Sequence, residues 1–385
     1  MCYYLIYAII FINDYAMAAK RSISREMFYL NNILVVFGGK SSEYEVSLRS
    51  SECIIRNIPR DKYNVYTLGI TRDGSWLYYD GSVDLIPNNE WISSGKTYPA
   101  VFSSEFGSRE LLVFDNDGSV KEKIKIDAAF PVLHGKNGED GTIQGLFEIY
   151  GIPYVGCGVL SSAACMDKAF TNLVADAAGI PQAKWLSFNS FEYSSNSEGI
   201  IADIIDKLGL PVFIKPANAG SSVGITKAKT REDLKKAIEL ALEHDCKIVA
   251  EEAINARELE CSVLGTMQKV RTSVVGEIRP QNEFYDYEAK YISDDSELII
   301  PAPVSEETSN ELRRLAEKVF RTLDGRGLAR VDFFLDKDSG RLLFNEINTI
   351  PGFTSISMYP KLFEHAGLPC PELINELLKI ALKGK

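Results

Sequence analysis

Two apolar runs near the C-terminal end, "GLARVDFFLD" from Gly327 to Asp336 and "RLLFNEINTI" from Arg341 to Ile350, carry the pattern that most restricts how this chain can fold. Successive side chains of a strand point to opposite faces, so Arg330, Asp332 and Phe334 share one face and Val331, Phe333 and Leu335 the other. In the second run Phe344, Glu346 and Asn348 fall together. The intervening "KDSG" is a turn signal, and the pair reads as a hairpin. A three-residue turn, Asp338-Ser339-Gly340, with Lys337 set against Arg341, places Asp332 across from Glu346. A lone Glu-x-Asn on a strand is most simply a solvated edge. Two clusters facing the same way are different: Asp332, Glu346 and Asn348 then converge beside Arg330. Such oxygen ligands suit a hard cation, commonly Mg²⁺ held by a few carboxylates plus nucleotide phosphates, with Arg330 facing an anion.

The rest of the composition sets the frame. At 385 residues the chain is too long for one typical core, so two or three domains are expected. A formal net charge of -11 repels nucleic acid and anionic membranes. Cys2, Cys53, Cys157, Cys165, Cys246, Cys261 and Cys370 show no CxxC pair and no metal-ligand spacing, as expected of free thiols in a reducing compartment. The apolar run Cys2 to Ile12 has no basic segment before it, is too short to span a bilayer and is followed by Asn13 and Asp14. Residues 1–30 therefore read as an extension outside the fold, and a cytoplasmic protein without membrane insertion is expected.

Along the chain, "NILVVFGG" is a strand ending at a glycine turn, and "KSSEYEVSLRSSECII" has helical spacing with Ser42 and Glu45 as a capping box. Further strands are expected at "YNVYTLGIT" and "IDAAFPVLHG", with hairpins and loops over residues 81–125. "PVFIKPANAGSSVGITKAKT" reads as strand, glycine-serine loop and strand. "REDLKKAIELALEHD" is an amphipathic helix and "KIVAEEAI" a strand. Later come the strands "RELECSVLG" and "TSVVGEI", the acidic aromatic loop "NEFYDYEAKYISD" and the helix "SEETSNELRRLAEKVFRTLD". The order is one α/β domain followed by two α+β domains.

The loop "KPANAGSSVGI" is the second anchor. Lys215 ends a strand, and Gly220, Ser221, Ser222 and Gly224 let backbone amides approach a phosphate. Most such loops are only hairpin turns, and the GxxxxGK[ST] order of a P-loop is absent. Together, however, "MDKAF", "FIKPANAGSSVGI", "AEEAINARELE", "GLARVDFFLD" and "FNEINTIPGFTS" resemble the ATP-grasp enzymes. With "FGGKSSEYEVSLRS" and "LHGKNGEDGTIQGLFE" the resemblance narrows to the D-alanine:D-alanine ligase family and covers Asn31 to the C-terminus.

That resemblance implies an ATP-grasp fold of three domains: a Rossmann-like substrate domain over 31–156, a central domain over 157–251 and a catalytic domain over 252–385, with nucleotide between the last two. Lys168 and Lys215 resemble the lysines that hold ATP phosphates. Ser222, Glu251, Glu252, Ile254, Glu258 and Phe333 resemble further nucleotide contacts. Lys290 resembles the loop lysine that closes over the γ-phosphate, and Asp332, Glu346 and Asn348 the ligands of two Mg²⁺, for which Mn²⁺ substitutes. Glu43 resembles the partner of the first D-alanine's ammonium, linked to Ser221 and Tyr291. Arg330 and the Gly352 N–H resemble the oxyanion site, and Ser357 the binder of the second carboxylate. His134 lies near the first substrate by analogy, although a histidine in a glycine-rich turn is as often structural. Tyr44 stands where arginine or histidine is usual.

The activity implied is ATP-dependent joining of two D-alanines through a D-alanyl phosphate, for peptidoglycan precursors, by a homodimer; use of a monovalent cation is left open. A D-alanine:D-lactate ligase is the nearest rival, set back by the tyrosine of "EAKY". A nicotinamide-binding protein fails for want of GxGxxG. A catalytically dead ATP-binding regulator is disfavoured by the complete Arg330, Asp332, Glu346 and Asn348 set.

Overall fold

The computed structural model describes residues 30–105, 107–220, 223–279 and 297–384. Three sheets succeed one another along the chain. The first has seven strands: β1 Asn31–Gly38, β2 Tyr63–Ile70, β3 Trp76–Tyr79, β4 Thr97–Phe102, β5 Glu110–Phe114, β6 Val120–Lys125 and β7 Ala128–Val132, in the order β6-β5-β4-β3-β2-β1-β7. Only β2, β1 and β7 are parallel. Residues 81–125 contain the expected hairpins, and β4 to β6 continue the sheet antiparallel from β3.

Helix α1, Tyr44–Asn57, follows the turn after β1. Gly38 has φ +86°, and a Cβ there would lie 2.1 Å from the Ile70 carbonyl oxygen, so only glycine fits this turn. The capping box is not formed as expected. The cap position is Glu43, without a side-chain cap bond, and Glu45 is ion-paired with Arg72 on the surface. The same Arg72 guanidinium covers the ring of Tyr44, whose hydroxyl donates to Asn89 Oδ1 at 2.7 Å. Tyr44 belongs to the core of this domain.

Three helices, α2 Thr142–Tyr150, α3 Val159–Met166 and α4 Lys168–Ala177, lead to a four-stranded antiparallel sheet. Its strands are β8 Trp185–Asn189, β9 Val212–Pro216, β10 Thr226–Ala228 and β11 Lys247–Glu252, ordered β10-β9-β11-β8. Helices α5 Ser190–Ser195, α6 Ser197–Leu208 and α7 Arg231–Leu242 complete this unit, with a core of its own that includes Ile204, Ile214, Leu234 and Ile248.

The third sheet, ordered β14-β13-β12-β15-β16, is antiparallel throughout. It contains β12 Ala256–Gly265, β13 Val270–Arg279, β14 Glu297–Ile299, β15 Gly327–Asp336 and β16 Leu342–Asn348. Helix α8, Glu306–Thr322, is capped by Ser305, whose hydroxyl accepts from Thr308 N–H at 3.1 Å. It buries Leu312, Leu315, Ala316, Val319 and Phe320, a stripe of helical period, against this sheet. Helices α9 Met358–His365 and α10 Cys370–Leu382 turn back onto the first domain. Tyr359, Phe363, Leu373, Leu377 and Leu378 share one core with Ile33, Val35 and Phe37 of β1, and Tyr63 donates its hydroxyl to Asn375 at 3.1 Å.

The β15–β16 hairpin reaches the expected opposition by an unexpected route. Asp332 does pair with Glu346, and Arg330 with Asn348. The turn, however, has four residues, 337–340: Asp336 N–H donates to the Arg341 carbonyl at 3.0 Å and Gly340 N–H to the Asp336 carbonyl at 2.8 Å. Three hydrogen bonds draw the extra residue in. Lys337 N–H turns to the Asn255 carbonyl at 2.9 Å, and the Asp336 carboxylate accepts from Asp338 N–H and from the Ser339 hydroxyl. Carried on regularly, this register would set Asp332 against Asn345. A bulge between Asp332 and Phe333 corrects it: Phe333 pairs with Phe344 and Asp332 with Glu346, leaving Asn345 as the additional residue. Deleting Asn345 is expected to remove the bulge yet leave Glu346 opposite Asp332 and Asn348 opposite Arg330, whereas inserting an alanine between Asn345 and Glu346 displaces both from those partners. D-alanine-dependent phosphate release from ATP should fall at least about 100-fold in the insertion, while the deletion loses less than about tenfold. Circular dichroism melting of both variants would separate this from general unfolding.

Candidate active site

A cleft of about 1270 Å³ opens where the three units meet. Its lining includes Glu43, His134, Lys168, Lys215, Glu251, Glu252, Ile254, Glu258, Arg330, Glu346 and Asn348. Asp332 lies directly beneath Arg330, and Gly352 and Ser357 follow in the turn beyond Ile350. Ser221, Ser222, Lys290 and Tyr291 lie outside the described residues. Phe333 is a correction: it is buried in the core with its ring 6.1 Å from that of Phe344. Phe334, on the face shared with Arg330 and Asp332, lines the cleft instead. Strand alternation already separated these two side chains.

At the centre, Arg330 donates from Nε to Asp332 Oδ1 at 2.8 Å and from Nη2 to Oδ2 at 2.7 Å, a bidentate pair between neighbours on one strand face. Asn348 donates its amide to Asp332 Oδ2 at 3.0 Å. Among the described residues no three His, Cys, Asp or Glu side chains form a ready metal cage. The donors nonetheless fit a divalent cation of the hard class. Two opposed carboxylates and an amide oxygen could serve as its ligands, and phosphate or water would fill the remaining positions.

The central unit supplies two lysines to the cleft. Lys168 stands at the first position of α4, whose cap Asp167 accepts from Phe170 N–H at 3.0 Å and pairs with Lys247. Its Nζ donates to the Ala219 carbonyl at 2.7 Å, which ties it to the glycine-serine loop. Lys215 on β9 is ion-paired with Glu251 on β11, and Asn172 donates to the same carboxylate at 3.3 Å. Both partners are nearly buried, so the lysine is held in one place with its charge balanced. Glu252 accepts from Lys184 N–H at 2.8 Å at the strand end, where the chain passes to Ile254.

The opposite end belongs to the first domain. The Glu43 carboxylate is buried, and two glycine backbones make room for it. A Cβ on Gly135 would lie 2.2 Å from Glu43 Oε2, and one on Gly220 2.9 Å from it. The first domain and the glycine-serine loop therefore meet at this carboxylate. His134 accounts for a second link. Its Nδ1 lies 2.9 Å from the Ile350 carbonyl, so it carries the proton there, and Nε2 accepts from the Ser50 hydroxyl at 3.3 Å. Ser50 in turn accepts from Phe353 N–H at 3.1 Å. Burial lowers the imidazole to about 4, and it is neutral near pH 7. A Cβ on Gly352 would lie 2.8 Å from Ser357 Oγ, which itself accepts from Thr354 N–H at 2.9 Å.

Sequence reasoning did not single out Glu139 or Glu260. Glu139 accepts from Gly135 N–H at 2.8 Å and from Ile350 N–H at 3.3 Å, and burial followed by the Glu43 charge raises it to about 8. Its signal was present in "GKNGEDG", where an acid follows two turn glycines.

The comparisons with known proteins can now be set beside this geometry. A family model described as "D-ala D-ala ligase N-terminus" matches residues 32–157, and "D-ala D-ala ligase C-terminus" matches 174–379. The chain belongs to the D-alanine–D-alanine ligase family. A D-alanine–D-alanine ligase of Acetivibrio thermocellus is 50% identical over 368 residues, covering 91% of this chain and 96% of that protein. One from Ruminiclostridium cellulolyticum is 49% identical over 359 residues, covering 91% and 95%. Among solved structures, the VanG D-Ala:D-Ser ligase of Enterococcus faecalis superposes with a TM-score of 0.83 at 41% identity, covering 91% of this chain and 99% of that one. The D-alanine–D-alanine ligase of Coxiella burnetii gives 0.81 at 32%, covering 92% and 94%. The fold is ATP-grasp with three domains.

Because the folded state binds a proton at His134 less well than the unfolded chain, this residue's contribution is complete above pH 6.5 and is lost as pH falls toward 4. At pH 5.5 the loss should reach about 1.4 kcal/mol. Urea midpoints of wild type and His134→Asn at pH 7.5 and 5.5 test this: the variant should lose that much less on acidification, and parallel losses would remove His134 from the account.

Proposed function

We propose that this chain joins two D-alanines into D-alanyl-D-alanine, converting ATP to ADP and phosphate through a D-alanyl phosphate, for peptidoglycan precursor synthesis. The observation that carries the reading is the opposed Asp332–Glu346 pair, with Arg330 clamped on Asp332, in one cleft with Lys168, Lys215 and Glu43. The family membership supports the same activity.

A carboxylate does not react with an amine in water, so the first D-alanine must be activated. Glu43 would take its ammonium and set its carboxylate toward Arg330. Lys168, Lys215 and Lys290 would hold the triphosphate in line, since phosphoryl transfer asks chiefly for position and charge neutralisation. Asp332, Glu346 and Asn348 would hold two divalent ions, Mg²⁺ or Mn²⁺, which supply charge neutralisation at the transferring phosphoryl. Arg330 and the Gly352 N–H would stabilise the oxyanion as the second amine attacks. Ser357 would receive the second carboxylate. His134, neutral and fixed by Ile350 and Ser50, serves to hold the 349–353 turn in place. Glu251, Glu252, Ile254, Glu258 and Phe334 would line the nucleotide's end. A homodimer working in the cytoplasm fits this role. No helix of the described residues is long and apolar enough to cross a membrane.

A second reading concerns the acceptor. The VanG protein, named a D-Ala:D-Ser ligase, is 41% identical to this chain, against 50% and 46% for the D-alanine–D-alanine ligases of Acetivibrio thermocellus and Clostridium acetobutylicum and 32% for that of Coxiella burnetii. D-serine differs from D-alanine by one hydroxyl, and an apolar subsite rejects such an addition only weakly. We favour D-alanine because the Acetivibrio and Clostridium relatives are nearer in sequence.

The decisive assay is phosphate release from ATP with D-alanine alone, followed by product analysis with D-alanine, D-serine and D-lactate together. D-alanyl-D-alanine should dominate near pH 7, with almost no D-alanyl-D-lactate; a dominant D-alanyl-D-serine would transfer the chain to the other acceptor class. Tyr291→Phe should weaken discrimination against D-lactate, and an unchanged product ratio would leave that hydroxyl without the assigned part. Glu346→Gln keeps the strand's shape but removes a ligand charge. Turnover should fall by at least about 100-fold with a melting shift of only a few degrees, and near-wild-type turnover would sink the metal assignment.

A further inference from the structure

The sheet carries one carboxylate more than the proposed reaction uses. Glu260 on β12 pairs directly with Asp332 on β15, which pairs with Glu346 on β16, so three acids lie in one row across three strands. Glu260 Oε2 is 2.9 Å from Arg330 Nε, and the side chains of Glu260 and Arg330 are only 6% and 16% exposed. A buried carboxylate is costly unless it is paired and hydrogen-bonded, and like charges directly opposite on a sheet repel. Neutralising Arg330 does not account for Glu260, because Asp332 already pairs with the guanidinium through both Nε and Nη2. Nor does the proposed cation pair, which Asp332, Glu346 and Asn348 would hold.

We propose that Glu260 is a positioning residue that holds Arg330 in its working orientation while Asp332 serves a divalent cation. This rests on the reading that Arg330 stabilises the oxyanion. A carboxylate that ligates a cation has fewer lone pairs and less charge to offer a guanidinium. With Asp332 so engaged, an arginine gripped only by that acid would be loosened when it has to face the reacting carbonyl. Glu260, approaching from the strand on the other side, supplies a grip that does not depend on the state of Asp332. The bland alternative is an ion pair that merely stabilises β12 against β15. That pair would affect melting but leave the reaction's individual constants alone.

Glu260→Gln keeps length and one acceptor oxygen while removing the charge. Four quantities are to be read: kcat for dipeptide formation, KM for ATP, ATP affinity without amino acid, and affinity for a phosphinate dipeptide analogue tetrahedral at the reacting atom. We expect kcat to fall at least tenfold and the analogue to bind at least tenfold more weakly, with ATP affinity and KM within about twofold. Glu260→Asp should recover part of both losses. Wild-type kcat and analogue affinity in Glu260→Gln, or equal weakening of ATP and analogue, overturns the proposal. If Glu260→Gln does not fold, wild-type kcat and analogue affinity in Glu260→Asp overturns it equally. Arg330→Lys separates the two levels. Should it lose kcat and analogue affinity while Glu260→Gln does not, only the Glu260 role fails; should Arg330→Lys itself be silent, the oxyanion reading fails and the Glu260 role with it.

Discussion

Everything at the centre of this molecule depends on one electrostatic arrangement: three carboxylates abreast on adjoining strands, with one guanidinium to hold them. In isolation Glu260, Asp332 and Glu346 would push the strands apart. The sheet tolerates them because Arg330 is bound by two of the three, and because hard cations and their phosphates are the natural occupants of what remains. The excess of negative charge is therefore the signature of a site built to receive positive charge. The other face of β15 and β16 is apolar. Val331, Phe333, Phe344 and Ile347 belong to the core under α8 and anchor the charged face from below.

Around that row the other units act as supports at fixed distances. The first domain delivers Glu43 and His134 from the ends of its parallel strands, where ligands of open α/β sheets are commonly received. The glycine backbones of residues 135 and 220 let that domain and the central one close on a single carboxylate. The central unit brings two lysines, one tied to a carbonyl and one to an acid, so that their charges are placed before nucleotide arrives. Preorganisation of this kind spares the reaction the cost of arranging charges at the moment they are needed.

Much of this was legible in the residues. The face shared by Arg330 and Asp332, and that shared by Glu346 and Asn348, followed from alternation, but Phe344, expected on the second face, is turned by the bulge into the core against Phe333. What alternation could not reveal was how the turn would close. Lys337 N–H finds a partner on a loop some 80 residues earlier in the chain, at Asn255, and local turn chemistry contains no hint of that bond. The bulge at Asn345 then compensates, so the opposition of Asp332 and Glu346 is real although the turn expected to produce it is not the one present. The capping box failed for a similar reason: Ser42 and Glu45 have the right spacing, but the helix begins at Tyr44 and Glu45 finds Arg72. Residues 81–125 gave little signal because the short antiparallel strands TYPAVF, ELLVF and VKEKIK mix buried with half-exposed or exposed positions and lack the continuous buried run of a central strand. Glu260 was hidden because a lone acid in an apolar strand has no meaning until its cross-strand neighbours are known.

The return of α9 and α10 to the first domain has a mechanical corollary. Their side chains merge the outer two units into a single hydrophobic body, whereas the central four-stranded sheet keeps a separate core. Glu43 and Arg330 consequently ride on one rigid jaw, and Lys215 on the other. A swing of the smaller jaw would admit and discharge nucleotide without disturbing the spacing between the amino-acid clamp and the guanidinium. The chain's last helix, remote from any chemistry, is what makes the larger jaw stiff.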